Sequence, residues 1–458
     1  MERTGTRGLV LRRAKNPEEL RRQYQSSPNV RVTMSQRCDW SVKRSYLAAK
    51  TYNPIRHIIE NLDLQPNPEK QMVALSIGDP TIFGNLRAPP NVIDAVEESL
   101  NSFRYNGYGP ASGFDCAKQA IAEYTTTQHT DVYSEDVVLC SGCSGAIDLA
   151  ISVLAEAGRN ILVPCPGFSI YRTLAEGLGI TVREYKLKPE KDWEIDLEDL
   201  EKQIDADTAA LIITNPSNPC GSVFSERHLR DIVQVAARNY VPIIADEIYE
   251  HLVFKGETFI PIADVSNEVP ILKCSGLTKR FLIPGWRIGW IVIHDRSGIF
   301  GKEIRSGLQG LATRILGGNT IVQGAIPRIL RETPQTFYDE TVQVYQKNAS
   351  LAYSILSEIP GLKAIMPRGA MYMMVRVDMW DFPGFKNGLE FVTQLVAEES
   401  VFPLPGECFS YPGYFRIVLS VPSEMLDVAC HRIAEFCERH YKKKNEVIFS
   451  VSPECNDL

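Results

Sequence analysis

Residues 271–294 read ILKCSGLTKRFLIPGWRIGWIVIH. Two short apolar runs, ILKCSG from Ile271 and WIVIH from Trp290, flank a turn rich in glycine and proline. Apolar runs of about four to eight residues bounded by turn residues are the mark of strands buried on both faces. The same unit recurs upstream, as VPIIAD from Val241, ALIIT from Ala210, ILVP from Ile161 and VVLC from Val137. Helix-like segments such as 145–156 and 225–238 lie between these runs. This alternation predicts an α/β fold, with a mostly parallel central sheet sandwiched by helices, over a large domain of residues 90–330. The last third differs. A long helical pattern at 335–357 is followed by MYMMVRV from Met371, a helix near 388–400, FRIVLS from Phe415 and a final helix near 424–441. These predict a smaller α+β domain built from 46–89 and 331–445. Residues 446–458 read as a frayed tail.

Composition narrows the function. The 458 residues are 44% hydrophobic and 23% charged, ordinary values for a globular chain and unlike a collagenous or low-complexity one. No apolar run reaches the ~18 residues of a membrane span, and no secretory signal follows Met1. The formal net charge of −7 argues against a nucleic-acid binder. It hides an asymmetry. Residues 1–44 hold eleven Lys/Arg against four Asp/Glu, so this stretch carries +7 and the rest carries −14. We read residues 1–45 as a solvated, disordered basic arm. Its first fifteen residues are Arg-rich with one acid, Glu2, but lack the Ser-rich pattern of a mitochondrial leader. Eleven cysteines, an odd number scattered through apolar stretches, suit a reducing compartment, so a cytoplasmic location is expected. Cys140 and Cys143 form a lone C-x-x-C without the second pair a zinc site wants. No metal is expected. Asn348-Ala349-Ser350 is a glycosylation sequon only in a secreted chain, and we discount it.

In open α/β sheets, ligands bind beyond the carboxyl ends of the strands. The polar residues at those positions are therefore the candidates. VVLC is followed by Ser141-Gly142-Cys143-Ser144 leading into a helix. Backbone N–H groups at a helix start form an anion site, although Ser144 could equally cap a tight turn. ALIIT is followed by Asn215-Pro216-Ser217-Asn218, and VPIIA by Asp246-Glu247-Ile248-Tyr249. Asp246 alone could be a helix cap, and Tyr249 a core tyrosine. ILKCS is followed by Gly276-Leu277-Thr278-Lys279, with Arg287 eight residues on. Burial disfavours an amine's charged form and makes it a better nucleophile, and arginine's planar fork suits a phosphate. Four strand ends thus offer groups for one anionic, nitrogen-containing ligand. Neither G-x-x-x-x-G-K-[ST] nor G-x-G-x-x-G occurs, so nucleotide and dinucleotide readings lack support.

The segment Gly276 to Gly289 resembles the lysine-attachment signature of the class I aminotransferases, members of the fold-type I pyridoxal-phosphate enzymes. NPSNPCG at 215–221 and ADEIY at 245–249 are similar to the family's other two cofactor motifs, in the family's order. The similarity runs from about Trp40 to about Tyr441. It implies that Lys279 binds pyridoxal phosphate covalently and then shuttles the substrate's Cα proton. It further implies that Asp246 pairs with the pyridine nitrogen, and that Asn218 and Tyr249 hydrogen-bond the ring 3-oxygen. Phe168, in PGFSIY, would stack on the ring, where the residue alone suggests plain core packing. Gly142, Cys143, Ser144 and Arg287 would hold the phosphate. Tyr108, in YGPASG, would reach the phosphate of a neighbouring subunit, which implies a homodimer with shared sites. Arg416, in FRIVLS, would clamp the substrate α-carboxylate, with Asn218 beside it and Gly78, in SIGDP, giving close backbone approach.

One departure stands out. Many relatives carry Ser three residues before the lysine, and this chain has Gly276; Ser275 or Thr278 would have to supply that phosphate contact. Charges balance without a metal. Arg287 and the helix terminus answer the phosphate, Arg416 the substrate, and the pyridinium Asp246. The implied reaction is transfer of an amino group from tyrosine, or another aromatic amino acid, to 2-oxoglutarate. Two other readings remain. One is a different pyridoxal-phosphate activity of the family, a C–S β-lyase or a kynurenine- or alanine-type aminotransferase. The other is an aminotransferase-like transcription regulator, against which stand the shortness of the basic arm and its Pro17 and Pro28.

Overall fold

The computed structural model describes residues 42–442. The tail 446–458 and all but the last four residues of the basic arm lie outside the described residues. In chain order the strands are β1 (Val73–Ala74), β2 (Val137–Ser141), β3 (Asn160–Cys165), β4 (Thr181–Lys188), β5 (Glu194–Ile195), β6 (Thr208–Thr214), β7 (Ile243–Asp246), β8 (Ile271–Gly276) and β9 (Ile288–His294). They continue as β10 (Leu362–Ala364), β11 (Tyr372–Val377), β12 (Val401–Phe402), β13 (Leu404–Pro405) and β14 (Tyr414–Val418).

An eight-stranded sheet has the order β2-β9-β8-β7-β6-β3-β4-β5. Its centre, from β8 through β7, β6 and β3 to β4, is parallel, while β9 runs antiparallel to both neighbours and β5 to β4. Every residue of β6, β7, β8 and β9 is buried, so these strands are apolar on both faces rather than alternating, and polar residues inside them such as Lys273 and Ser275 are partnered by Glu250. The sequence reading overlooks β4, TVREYKLK. It has only the two-residue β5 on its outer side, is half exposed, and alternates in polarity. Helices cover the sheet. The helix Gly142–Leu154 buries Ala146, Ile147 and Ala150, and Glu226–Arg238 is capped by the Ser225 hydroxyl, which accepts from His228 N at 3.2 Å. Both begin within three residues of their expected starts.

A second, antiparallel sheet has the order β10-β11-β14-β13. Against it lie the helices Gln335–Leu356, Gly388–Glu399 and Ser423–His440. The early strand β1 pairs in parallel with β12, and Val418 N donates to Leu75 O at 2.9 Å. Residues before the large sheet are therefore hydrogen-bonded to the last third of the chain. Asn348 of the sequon is fully buried, and its amide donates to Leu419 O and Val421 O, each at 2.8 Å. It is a cross-link in the core.

Register places the ends together. Thr214 lies opposite Asp246, and Asp246 opposite Cys274. Because β9 is reversed, Gly276 faces Gly289 and Ser141 faces Ile288. One edge of the sheet thus gathers the carboxyl ends of β2, β6, β7 and β8 with the amino end of β9.

Candidate active site

At that edge lies a cavity of about 620 Å³. Of the residues singled out in the sequence, Gly78, Cys143, Ser144, Phe168, Asn218, Asp246, Tyr249, Lys279, Arg287 and Arg416 line it. A larger cavity, about 1060 Å³, opens at the other end of the sheet among Ala209, Pro242 and Pro270 and contains none of them. Volume is a poor guide here; convergent polar groups mark the smaller cavity as the chemical one.

Asp246 ends β7 on the cavity floor, 3% exposed. Burial pushes its carboxyl up, and three donors act against that. The Tyr171 hydroxyl donates at 2.6 Å, Ile248 N at 3.3 Å and the Cys143 thiol at 3.6 Å. The Tyr171 hydroxyl in turn meets the Thr214 hydroxyl at 2.7 Å. A carboxylate so held is ready to face a cation entering the cavity. Lys279 Nζ stands across from it and donates to Gly78 O at 2.6 Å.

Arg416 of β14 is buried, which holds its pKa below the ordinary arginine value. Its Nη1 donates to Asn218 Oδ1 and its Nη2 to Ser76 O, both at 2.8 Å, while Nε has no partner. A buried guanidinium with an unpartnered donor, facing a cavity, suits an incoming carboxylate. Tyr249 extends the Asp246 turn, and its hydroxyl lies 2.8 Å from that of Tyr372.

Arg287 and the amino end of Gly142–Leu154 form a second anion-binding corner. Ser141 precedes this helix without a side-chain cap bond, so its first N–H groups are left for a ligand. Gly142 has φ +72°, and a Cβ there would sit 2.5 Å from Arg287 Nη2. The guanidinium therefore lies directly against the helix start. The departure at Gly276 also has a physical reason: a Cβ there would sit 2.6 Å from Ile288 O on the paired strand. Ser275 faces away from the cavity, donating to Glu250 Oε1 at 2.7 Å, whereas Thr278 lines it. Tyr108 is outside this cavity and 92% exposed.

Sequence reasoning missed Tyr171, Thr214 and Tyr372. Tyr171 closes the PGFSIY stretch already marked for Phe168, so the signal was present. Nothing in MYMMVRV distinguishes Tyr372 from a core residue. Also missed was the helix Pro54–Asn61, whose Ile55, Arg56 and Ile59 form part of the wall.

The donor set is that of an amino-group-transferring enzyme: a lysine, a buried carboxylate and two anion sites around one cavity. A family model, aminotransferase class I and II, matches residues 70–433, and the chain belongs to that family. It is 55% identical over 407 residues to a tyrosine aminotransferase of Bos taurus, covering 89% of this chain and 91% of the relative. It is 56% identical over 402 residues to a tyrosine aminotransferase of Homo sapiens, covering 88% of each. The crystal structure of tyrosine aminotransferase from Leishmania infantum superposes with a TM-score of 0.84 at 36% identity, over 88% of this chain and 99% of that one. The fold is that of these aminotransferases, with a mostly parallel central sheet and a smaller antiparallel one.

Proposed function

We propose that the chain transfers the amino group of tyrosine, and of other aromatic amino acids, to 2-oxoglutarate, giving 4-hydroxyphenylpyruvate and glutamate in aromatic amino-acid catabolism. The observation that carries this reading is the convergence of Lys279, Asp246 and Arg416 on one cavity in a chain 55% identical to a tyrosine aminotransferase. We further propose pyridoxal 5′-phosphate as cofactor, a homodimer in which Tyr108 completes the partner's site, and a cytoplasmic location. The nine cysteines of the described residues are free thiols, as a reducing compartment would leave them. The large domain is taken as 90–330 and the small one as 46–89 with 331–445.

Pyridoxal phosphate, when bound, supplies an electron sink for the pair released as the substrate's Cα–H bond breaks. The residues of the chain do the rest. Arg287 and the N–H groups of Gly142, Cys143 and Ser144 would hold the phosphate, with Thr278 adding a hydroxyl. Phe168, which lines the cavity, would cover one face of the ring. Asp246 would pair with the protonated pyridine nitrogen, and its three donors offset part of the upward push of burial on its carboxyl. Asn218 and Tyr249 would orient the ring through its 3-oxygen. Arg416 grips the α-carboxylate common to the amino acid and the oxo acid, and so fixes the Cα–H bond toward Lys279. Lys279 Nζ would take the proton from Cα and return it from the same face to complete the transfer. Ile55, Ile59 and Leu404 give the wall an apolar surface for an aromatic ring.

A steady-state panel tests the reaction. With 2-oxoglutarate as acceptor, tyrosine should give the highest kcat/KM among tyrosine, phenylalanine, aspartate, alanine and kynurenine. Release of pyruvate and ammonia without an oxo-acid acceptor would instead identify a lyase.

A further inference from the structure

Tyr372 sits between two parts of the site that the sequence treats separately. Its hydroxyl lies 2.8 Å from the Tyr249 hydroxyl, and the two rings meet edge to face with centroids 5.7 Å apart. The other side of the same ring lies under Arg416, whose guanidinium carbon is 4.2 Å from the ring centroid. The hydroxyl occupies the space that a side chain at Gly78 would need, 2.7 Å from the place of its Cβ. Tyr372 is 2% exposed. We propose that Tyr372 is a positioning residue joining the two halves of the site: its hydroxyl sets how strongly Tyr249 donates into the cavity, and its ring sets the plane of Arg416. This rests on the reading above that Tyr249 faces the ring oxygen of pyridoxal phosphate.

The hydroxyl part follows from proton counting. Each tyrosine hydroxyl has one proton, and two hydroxyls 2.8 Å apart share one hydrogen bond. If Tyr249 spends its proton on a cofactor oxygen, Tyr372 must be the donor between them. The surroundings favour that direction. Burial pushes the Tyr249 hydroxyl well above the usual tyrosine value. Burial also raises Tyr372, but Lys279, Arg416 and the Tyr249 hydrogen bond outweigh it and hold Tyr372 below that value. The charged and titratable groups facing Tyr372 are Lys279 after β8, Arg416 on β14, Asp246 and Tyr249 at the end of β7, and Tyr345 on Gln335–Leu356. Linked hydrogen bonds polarise one another, so a proton received from Tyr372 makes Tyr249 a stronger donor. The ring part follows from Arg416. Its Nη atoms are committed and its Nε has no partner, so the Tyr372 ring, 4.2 Å from the guanidinium carbon and nearer than the Phe409 ring at 5.0 Å, fixes which way the free edge points.

The test uses the holoenzyme and four variants, Tyr372→Phe, Tyr372→Leu, Tyr249→Phe and the double Tyr249→Phe/Tyr372→Phe. The first readout is the pH midpoint of the borohydride-sensitive absorbance band. Stronger donation to the ring oxygen favours its charged form and lowers the proton affinity of the nitrogen joined to Lys279. Tyr372→Phe should therefore raise the midpoint by about half a pH unit, and the double variant should match Tyr249→Phe alone. The second readout is the dissociation constant of 3-(4-hydroxyphenyl)propionate, which has the carboxylate but no amino group. It should be unchanged in Tyr372→Phe and raised about threefold to thirtyfold in Tyr372→Leu. A wild-type midpoint in Tyr372→Phe, additive shifts in the double variant, or tight propionate binding by Tyr372→Leu would each overturn the proposal. Absence of the band from the wild-type protein would instead overturn the cofactor assignment on which it rests.

Discussion

Replacing Arg416 by lysine keeps the positive charge and removes the planar fork. In the native site Nη1 and Nη2 are committed to Asn218 Oδ1 and Ser76 O, and these bonds together with the Tyr372 ring hold the guanidinium edge toward the cavity. A lysine ammonium can approach a carboxylate as a point charge but cannot make two parallel bonds while keeping those anchors. Losing one charge-assisted hydrogen bond costs about 1.5–3 kcal/mol. With about 1.4 kcal/mol per tenfold, kcat/KM for tyrosine should fall roughly tenfold to a hundredfold. Arg416→Met goes further, leaving the substrate carboxylate buried and unpaired at about 3–5 kcal/mol, a loss of roughly 10² to 10⁴. Both half-reactions should suffer alike, because tyrosine and 2-oxoglutarate present the same α-carboxylate. Tyramine, which lacks that carboxylate, supplies the internal control: its slow turnover should be nearly the same in native and Arg416→Lys protein. The assay is steady-state kinetics with each substrate varied in turn. Unchanged kcat/KM for tyrosine, or an equal fall for tyramine and tyrosine, would show that Arg416 does not bind the carboxylate.

Three further expectations concern Glu247 and Ser275 behind the site and Thr278 in its lining. Burial pushes the Glu247 carboxyl up to about 7, and Lys273, 3.3 Å away but closer to Glu250 at 2.6 Å, does not reverse this. Glu247 therefore stays protonated in the fold up to that pH while the unfolded chain ionises near 4.5, so stability is lost as pH rises through that window. Denaturant titrations should show Glu247→Gln gaining a few kcal/mol on the native protein between pH 5 and pH 8; equal pH dependence of the two would refute the reasoning. Thr278→Ala should weaken pyridoxal phosphate binding about tenfold to a hundredfold at unchanged stability. Ser275→Ala should leave binding intact and cost about 1–3 kcal/mol of stability by stranding Glu250 Oε1, and the reverse pattern would assign the phosphate contact to Ser275.

The strands β6 to β9 are legible in the sequence because complete burial keeps both their faces mostly apolar, with partnered exceptions such as Lys273, and the chemistry is legible because four of the strand ends carry it. The Gly276-Leu277-Thr278-Lys279 turn shows both. What escapes the sequence is whatever depends on neighbours distant along the chain. The strand β4 is half exposed, so its alternating pattern resembles many other stretches. Tyr171 is visible only as the end of a motif, because its role depends on Thr214 and Asp246 from two strands distant in the chain. Tyr372 reads as one apolar residue among several in MYMMVRV, and only the register of β11 against β14 brings its ring under Arg416. Gly276 looks like a defect in the phosphate site until Ile288 O on the paired strand is seen to leave no room for a side chain.

The assignment of Lys279 is open to direct chemical observation. Purified holoenzyme, reduced with borohydride and digested, should yield one peptide carrying the reduced cofactor, attached at Lys279. The same treatment of Lys279→Ala should yield no labelled peptide, and that variant should not turn over tyrosine. A label on any other lysine, or normal transamination by Lys279→Ala, would contradict the account of this site.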